Sequence, residues 1–276
     1  LIGLIGEPIL ASELEVDRDA PCSQQPTIEI EEKSGIPIID IIKPSPGGVS
    51  HNVFKEYNVD EIGVVFNNNL NENLGWDAEK SILTETPIHA NEHLAGQAAK
   101  IILAEVTGYN ISKLLGITEI FGRGADFILA NPNGIYCNGA SFINAHRVTL
   151  TTGRPQLDYA GVLRSLQVDR GTIEIHDKGV SIPLSGNPGS PVEILSRAVK
   201  ISGSLSTQND LYIYTGLNKF DYNNKKLDHQ PEPTSNNKPY LAIDGALVGK
   251  IGARKITIIA TEQGVGVNCP LLIADV

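Results

Sequence analysis

This chain is poor in the residues that mark several large classes of protein. It has no methionine, one tryptophan, three cysteines and only 5% aromatic residues among its 276 positions. No run approaches the roughly 18 consecutive apolar residues that a membrane-spanning helix needs, so we predict no transmembrane segment. Because the formal net charge is −10 and no basic stripe is present, we predict no nucleic-acid partner.

The cysteines argue against a disulfide framework. Cys22, Cys137 and Cys269 are odd in number, far apart and without the paired spacing of metal ligands. We therefore predict three free thiols, no bound metal and no other cofactor.

The first residues are apolar and end in Ile-Leu-Ala. Since the chain has no methionine, Leu1 is not an initiator, and we expect a processed or trimmed product. We interpret residues 1–11 as the remnant of a signal peptide cleaved after Ala11, which leaves residues 12–276 as the domain. An ordinary apolar first strand is the alternative interpretation.

Glycine (27 residues), proline (16 residues) and frequent asparagine favour many short strands joined by tight turns. One unit recurs: a glycine turn, an apolar residue, a gap, and an alternating strand that ends in threonine. The recurring strands start at Val148, Leu211 and Ile256, which are 63 and 45 residues apart. These distances are near three and two multiples of about 21 residues, a plausible coil length for a β-solenoid. Ile173 and Val199 lie in runs that can fill intervening strands, and a β-sandwich is the alternative.

Three other segments have less regular patterns. Asn67-Asn68-Asn69 ends an alternating run and is predicted to be a turn. Residues 95–106 have the composition of a helix, although flanking Gly, Asn and Pro favour short elements. Residues 218–240 are rich in Asn, Lys, Asp and Pro and predict a mobile surface loop.

Four blocks of sequence carry a family resemblance. They are Gly-Gly-Val-Ser-His-Asn at 47–52, Ala-Asn-Pro-Asn-Gly-Ile at 130–135 with its continuation to Gly153, Ser-Arg-Ala-Val at 196–199, and Gly-Val-Gly-Val at 264–267. In this order they resemble the two-partner-secretion, or haemagglutination-activity, domain. That domain occurs in filamentous haemagglutinins and in contact-dependent growth inhibition exoproteins of the CdiA type.

The resemblance implies an all-β fold, a right-handed parallel β-helix (β-solenoid) with an N-terminal strand cap and small extra-helical hairpins. We place the cap at about residues 26–70 and the coils at about residues 117–276. The resemblance also implies a secretion domain of a larger exoprotein and not an enzyme.

The family's partner is an outer-membrane TpsB transporter of the Omp85 superfamily, which recognises the domain through its periplasmic POTRA domains. The domain would act as a monomer and nucleate β-helix folding at the surface of a Gram-negative cell. The remainder of such an exoprotein is a haemagglutinin, an adhesin or a growth-inhibition toxin.

The most specific block predicts a tight turn. Proline presets φ, and an Asn-Gly pair accepts positive φ, so the segment suits a solenoid corner whose amides bond to the next coil. The resemblance adds a second role, direct contact with the transporter, and both roles stay open. The predicted secretion motif consists of Asn131, Pro132, Asn133, Gly134 and Ile135. The predicted structural turn positions near it are Gly139, Asn144 and Gly153.

Two motifs depart from the family pattern. Relatives carry Asn-Pro-Asn-Leu upstream, whereas Asn91-Glu92-His93-Leu94 keeps only its ends, so Asn91 and Leu94 are the residues we assign to recognition. Some relatives also carry a Cys-x-x-Cys pair, but here Cys137 is followed by Ala140 at the second position.

His89 to His93 matches the H-x-x-E-H pattern of zinc proteases. That chemistry needs both histidines on one face of a stable helix, a third ligand and an open water site. Pro87 and Gly96 flank the segment, so we predict no zinc site. A carbohydrate-cleaving β-helix would need clustered carboxylates in a cleft, which the repeat strands lack. A glycan-binding adhesin remains an open alternative.

Overall fold

The fold, in a computed structural model, is described for residues 13–71, 79–182, 191–228, 238–245, 249–269 and 271–274. The interpretation of residues 1–11 as a signal-peptide remnant falls outside these residues.

Two one-turn 3-10 helices lie at Cys22–Gln24 and Glu92–Leu94. In chain order the strands are β1 Leu14–Val16, β2 Thr27–Ile30, β3 Pro37–Asp40, β4 Val49–Tyr57, β5 Val64–Asn68, β6 Ile101–Val106, β7 Ser112–Leu114, β8 Ile117–Gly122, β9 Ala125–Ala130, β10 Ile135–Cys137, β11 Ala140–Ile143, β12 Ala145–Thr151, β13 Arg154–Leu157, β14 Leu163–Val168, β15 Thr172–Ile175, β16 Val180–Ile182, β17 Val192–Ser196, β18 Ala198–Ile201, β19 Ser204–Thr207, β20 Asp210–Thr215, β21 Asn218–Asp221, β22 Lys226–Asp228, β23 Leu241–Gly245, β24 Lys250–Ala253, β25 Lys255–Ala260, β26 Gly266–Asn268 and β27 Leu271–Ala274.

The strands form three long sheets that the chain visits in turn. Sheet 1 has the order β1-β4-β6-β9-β12-β17-β20-β25, sheet 2 the order β7-β10-β15-β18-β23-β26, and sheet 3 the order β2-β3-β5-β8-β11-β16-β19-β24-β27. One coil runs from sheet 1 through sheet 2 to sheet 3, as β9, β10 and β11 do, and the next coil stacks on it in parallel. The predicted parallel β-helix is therefore confirmed.

Columns of inward apolar side chains hold the coils together. Alternate residues of a strand face the interior, so paired positions in successive coils stack on each other. One column of sheet 1 contains Ile102, Phe127, Val148, Val192, Leu211 and Ile256. The first five belong to one interior cluster, and the partly buried Ile256 packs against it, so each coil removes the apolar face of its neighbour from water.

The repeat contains fewer coils than the spacing predicts. Val192 pairs with Val148, and Leu211 pairs with Val192, so the 63-residue interval is two coils of 44 and 19 residues. Ile256 pairs directly with Leu211, so the 45-residue interval is one coil. The predicted counts of three and two were wrong because both long coils carry segments that leave the helix.

Those segments form an additional antiparallel sheet in the order β13-β14-β21-β22. Leu166 and Phe220 of this sheet, and Tyr222 in the turn between β21 and β22, are buried against the outer face of sheet 1. The predicted extra-helical hairpins are thus present, and the prediction of a loop over 218–240 was wrong for residues 218–228. Its Asn- and Lys-rich composition obscures two buried aromatic positions, Phe220 and Tyr222. Residues 229–237 of that predicted loop lie outside the described residues.

The two described ends of the solenoid differ. At the first end β1 pairs antiparallel with β4, and β2 pairs antiparallel with β3. Parallel pairing already begins with β3 on β5 and β4 on β6, so the coils start well before residue 117. At the second end β25, β26 and β27 are the last strands of their sheets, and Leu271, Leu272 and Ile273 are exposed.

The helical composition of residues 95–106 did not produce a helix. Ile101–Val106 is strand β6, which pairs in parallel with β4 on one side and β9 on the other. Hydrogen bonding to a strand along each edge outweighs the weak helix propensity of these residues. Within the described residues, no helix has the length and apolar character needed to cross a bilayer.

Candidate functional site

Asn131 lies at the corner between β9 and β10 and is fully buried. Its Nδ2 donates to the carbonyl oxygen of Asn110 at 3.0 Å and to Oγ of Ser112 at 3.0 Å, both in the preceding coil. Its Oδ1 accepts from the backbone N–H of Asn133 at 3.0 Å. One amide therefore closes its own turn and joins that turn to the coil before it.

Asn133 extends the same connection. Its Nδ2 donates to the carbonyl oxygen of Gly108 at 2.8 Å and also lies 3.4 Å from the carbonyl oxygen of Asn110. The backbone N–H of Gly134 donates to the carbonyl oxygen of Asn131 at 3.1 Å, which closes a β-turn. Both asparagine side chains thus hold the backbone of residues 108–110.

Gly134 occupies a position that no other residue fits without strain. Its φ is +136°, and an added Cβ would lie 2.9 Å from the carbonyl oxygen of Thr172 and 3.2 Å from Cγ2 of Ile111. Positive φ at the Asn-Gly pair is therefore confined to the glycine, since neither Asn131 nor Asn133 is among the residues with positive φ. Pro132 and Ile135 are buried beside it.

The three predicted turn positions lie where strands change direction. Gly139 has φ +111°, and an added Cβ would lie 2.9 Å from the carbonyl oxygen of Leu115. Asn144 has φ +59°, and its Nδ2 donates to the carbonyl oxygens of Ile120 at 2.9 Å and Gly122 at 3.0 Å. The third position, Gly153, donates its N–H to Oγ1 of Thr151 at 2.8 Å and leads into β13.

The upstream motif is also used inside the fold. Asn91 Oδ1 accepts from the N–H of His93 at 2.9 Å, and Nδ2 donates to the carbonyl oxygens of Ile41 at 2.8 Å and Asn67 at 2.9 Å. Leu94 is fully buried in the interior cluster. The two predicted motifs are separate, one around residues 91–94 and the other at the β9–β10 corner.

Sequence reasoning missed a buried group of asparagines. The run predicted as a turn, Asn67 to Asn69, lies at the end of β5 and just beyond it, and all three side chains are buried. Asn68 Nδ2 donates to the carbonyl oxygens of Ala99 at 3.0 Å and Arg123 at 2.6 Å, while its Oδ1 accepts from the N–H of Ala99. The run itself was the signal, since an amide supplies both donors and an acceptor.

The H-x-x-E-H segment does not form the helix that zinc proteolysis requires. Glu92–Leu94 is a single 3-10 turn, and His89 Nε2 lies 3.1 Å from Asp40 Oδ2. Across the part of the chain that the structure describes, no group of three His, Cys, Asp or Glu residues is arranged to hold a metal ion.

The cysteines are free thiols, as predicted. Cys22 and Cys269 are exposed, whereas Cys137 lies in the interior on β10. Burial raises the pKa of the Cys137 thiol to about 12, so it stays protonated and inert at neutral pH.

Comparison with known proteins gives matches across nearly the whole chain. The family model for the TPS secretion domain matches residues 15–272. The 16S rRNA endonuclease CdiA of Enterobacter cloacae is 39% identical over 240 residues, which is 85% of this chain and 7% of that protein. The filamentous hemagglutinin of Bordetella pertussis is 36% identical over 239 residues, or 84% of this chain and 6% of that protein.

A solved structure shares the fold. The crystal structure of a filamentous hemagglutinin secretion domain superposes with a TM-score of 0.77 at 32% identity and covers 92% of this chain and 80% of that chain. The chain spans only about 7% of the length of the curated relatives it matches. The nuclease and toxin activities in their names are therefore statements about those proteins.

Proposed function

Because this chain belongs to the TPS secretion-domain family, we propose that it is the secretion module of a larger exoprotein and is recognised by a partner transporter. The receptor is the set of periplasmic POTRA domains of an outer-membrane TpsB transporter of the Omp85 superfamily. The exoprotein crosses the periplasm of a Gram-negative cell and ends outside it or on its surface. The module acts as a monomer without catalysis, and the passenger is an adhesin, a haemagglutinin or a growth-inhibition toxin.

The match to the secretion-domain family over residues 15–272, together with the shared solenoid fold, carries this proposal. At the first described end, antiparallel strands β1 and β2 pair with β4 and β3. Parallel coils then stack on one another through three sheets, and each coil offers its faces to its neighbours. This architecture supports a module that starts a solenoid.

The recognition residues act in this proposal through the shape of the corners. Asn91, Asn131 and Asn133 direct their amides at backbone carbonyls, and Leu94 is in the interior. Their contribution to export is therefore to hold the turns that a receptor meets.

The test is export with and without the transporter. A strain that makes this chain behind a signal peptide should release it to the medium when the cognate transporter is present and retain it in the periplasm when it is absent. A periplasmic marker enzyme controls for lysis. Equal release in both strains would refute the proposal.

A further inference from the structure

We infer that the extra-helical sheet of β13, β14, β21 and β22 acts as a strap, which closes over sheet 1 after the coils have formed and fastens the first parallel coil to later ones. The inference concerns the folded chain and goes beyond the proposed function, on which it does not depend. In a solenoid each coil contacts only its neighbours, so a device that connects distant coils changes how the domain opens.

The extra-helical sheet is assembled from two hairpins that leave the helix in different coils. The hairpin of β13 and β14 follows β12, and the hairpin of β21 and β22 follows β20, with the coil of β17 between them. Each hairpin leaves sheet 1 at a glycine, Gly153 or Gly216, and hinges often lie at such small residues. Strands β14 and β21 then pair antiparallel over residues 165–168 and 218–221. This pairing is complete only when both parent coils are in place.

The turn between β13 and β14 reaches back to the first parallel coil. Oγ of Ser45 donates to the carbonyl oxygen of Gly161 at 2.7 Å, and these residues are 116 positions apart in the chain. A Cβ added to Gly161 would lie 2.5 Å from Cβ of Ser45, and one added to Gly47 would lie 2.7 Å from Cγ2 of Val162. The turn therefore fits closely against residues 45–47, which lead into β4.

The extra-helical sheet lies along most of sheet 1. Its buried residues share one cluster with residues on the outer face of β4, β6, β9, β17 and β20. These residues of sheet 1 are Val49, Leu103, Ile128, Ala130, Leu195 and Tyr214. The distance from β4 to β20 is five strand spacings, or about 24 Å in total. Strand β4 can therefore separate from the stack only after the extra-helical sheet has opened.

The extra-helical sheet is held less firmly than the coils that it covers. Its strands have three to six residues, and Arg164 and Lys219 on them are exposed to solvent. In the β21–β22 turn Lys225 has φ +54°, a left-handed conformation that is unfavourable for a residue with a Cβ. Contacts far apart in sequence also form late, because the long loop between them must close first. The order of folding is therefore coils first and extra-helical sheet last.

The consequence of the closed sheet is that distant coils open together. An isolated end coil of a solenoid can open without disturbing the others. Coils from β4 to β20 are connected through the one extra-helical sheet, which opposes such separate opening. Strand β25 lies beyond this cover, since none of its described residues belongs to the shared cluster.

The test uses thiol labelling, because the chain contains its own reference. Cys137 lies in the interior and reacts only when coils open, whereas Cys22 and Cys269 are exposed and react at once. Leu166→Cys introduces a thiol at a site that is fully buried between the extra-helical sheet and sheet 1. Under native conditions we expect a maleimide to modify that thiol at least about tenfold faster than Cys137, as measured by mass spectrometry of each site. Equal rates would overturn the inference.

Refolding from urea measures the order of closing. Cys137 should become protected before the thiol that Leu166→Cys introduces, and the reverse order would overturn the inference. If Leu166→Cys does not fold, Val168→Cys serves instead, because this site on the same strand is also fully buried and the change in volume is small. Hydrogen exchange in the parent chain should show all four strands of the extra-helical sheet opening at one rate. Separate rates for the two hairpins would show two independent flaps and overturn the inference.

A matched pair of serine variants tests the fastening to the first parallel coil. Ser45→Ala loses the bond to Gly161, and Ser34→Ala in the β2–β3 turn loses a bond of the same length, 2.7 Å, to Oε2 of Glu31. Ser45→Ala should raise the labelling rate of the Leu166→Cys thiol about two- to tenfold, because it removes one hydrogen bond that holds the sheet closed. Ser34→Ala should leave that rate unchanged, since its bond stays intact while the sheet is open. Equal effects of the two variants on this rate would overturn the inference.

Discussion

Buried asparagine amides join successive coils at the corners of this solenoid. Asn68 is the last residue of β5, Asn131 directly follows β9, and Asn91 precedes the second 3-10 turn. Each donates to two acceptors that are distant in sequence. A corner exposes backbone carbonyl oxygens that no strand neighbour satisfies, and burial without a partner would cost about 1–3 kcal/mol for each. The amides supply those missing bonds.

The two corner asparagines should differ in their effect on stability. Asn131→Ala removes bonds from a fully buried site and should lower the free energy of unfolding by about 1–3 kcal/mol. Asn133→Ala acts at a half-buried site and should cost about 0.5–1.5 kcal/mol. Urea unfolding measures both, with the exposed Asn224→Ala as control.

Both variants should keep a cooperative melt and a β-rich spectrum, since a large solenoid absorbs a local loss. We expect these substitutions to impair transporter-dependent export more than they impair the final fold. Normal export of both would leave the corner a purely structural turn.

Asn144 permits a test of backbone strain that the corner does not. It has φ +59° and donates two hydrogen bonds. Asn144→Ala loses the bonds and also places a Cβ-bearing residue without polar compensation in the left-handed region, whereas Asn144→Gly loses only the bonds. Asn144→Ala should therefore be less stable than Asn144→Gly by about 1 kcal/mol in urea unfolding. Equal stabilities would show that the left-handed conformation costs nothing here.

For individual residues, the sequence predicted the turn at Asn131–Gly134 but did not predict which asparagine side chains are buried. Pro132 and Gly134 have restricted or unusual backbone preferences, so the segment predicted a turn by itself. The run at 67–69 has the same composition as a surface turn, and only the packing of β5 between its neighbours buries it. Composition does not distinguish an amide that faces water from one that faces a carbonyl group.

The extra-helical sheet covers a charged group on the outer face of sheet 1. Arg147 pairs with Glu193, whose Oε2 also accepts from Oγ1 of Thr149 at 2.8 Å. From the extra sheet, the hydroxyl of Tyr222 donates to Oδ2 of Asp126 at 3.0 Å. Lys225 Nζ lies 3.2 Å from the ring centroid of Tyr222, a cation–π contact at the β21–β22 turn.

Lys225 gives this element a dependence on pH. Burial lowers the pKa of its ammonium group to about 8, below the ordinary value of 10.5 for lysine. The unfolded chain therefore binds more protons than the folded chain between about pH 8 and 10.5, and the lysine's contribution to stability rises with pH across that window. Below pH 8 the buried ammonium group stabilises the fold less than the neutral amine would, in spite of its contact with Tyr222.

Lys225→Met should consequently stabilise the protein at pH 7, with an advantage over the parent chain that shrinks toward pH 10. Methionine keeps the chain length and removes the charge. Urea unfolding at pH 7 and pH 9.5 measures the difference, and Lys226→Met, at the exposed neighbouring residue, is the matched control. An advantage that does not change with pH would show that Lys225 titrates normally in the fold.

Elements with long apolar alternation were predicted more successfully than short or polar ones. The strands through Val148, Leu211 and Ile256 lie where the repeat places them. The strands β21 and β22 are short and polar, and what defines them is the docking of Phe220 on sheet 1. The composition of β6 fits a helix and flanking residues favour short elements, so the sequence alone does not predict its structure. Pairing with β4 and β9 makes it a strand.

At the scale of the whole molecule, stability in a solenoid is approximately a sum over contacts between adjacent coils. A central coil is covered on both faces, whereas the coil of β25, β26 and β27 has a described neighbour on one face. The sequence predicted the repeating architecture, but the coil count failed because inserted hairpins add to the spacing without adding a coil. Length alone does not show which residues leave the helix.

The last prediction compares two isoleucines in one column. Ile213 and Ile258 are paired neighbours, but Ile213 is fully buried while Ile258 is half-buried in the end coil. Ile213→Val should lower the free energy of unfolding by about 0.5–1.5 kcal/mol, and Ile258→Val should lower it by distinctly less. Hydrogen exchange should likewise be faster in β25, β26 and β27 than in β17, β18 and β19, because the end coil opens without disturbing the rest. Equal costs and equal protection would mean that the coil of β25, β26 and β27 is as well covered as the centre.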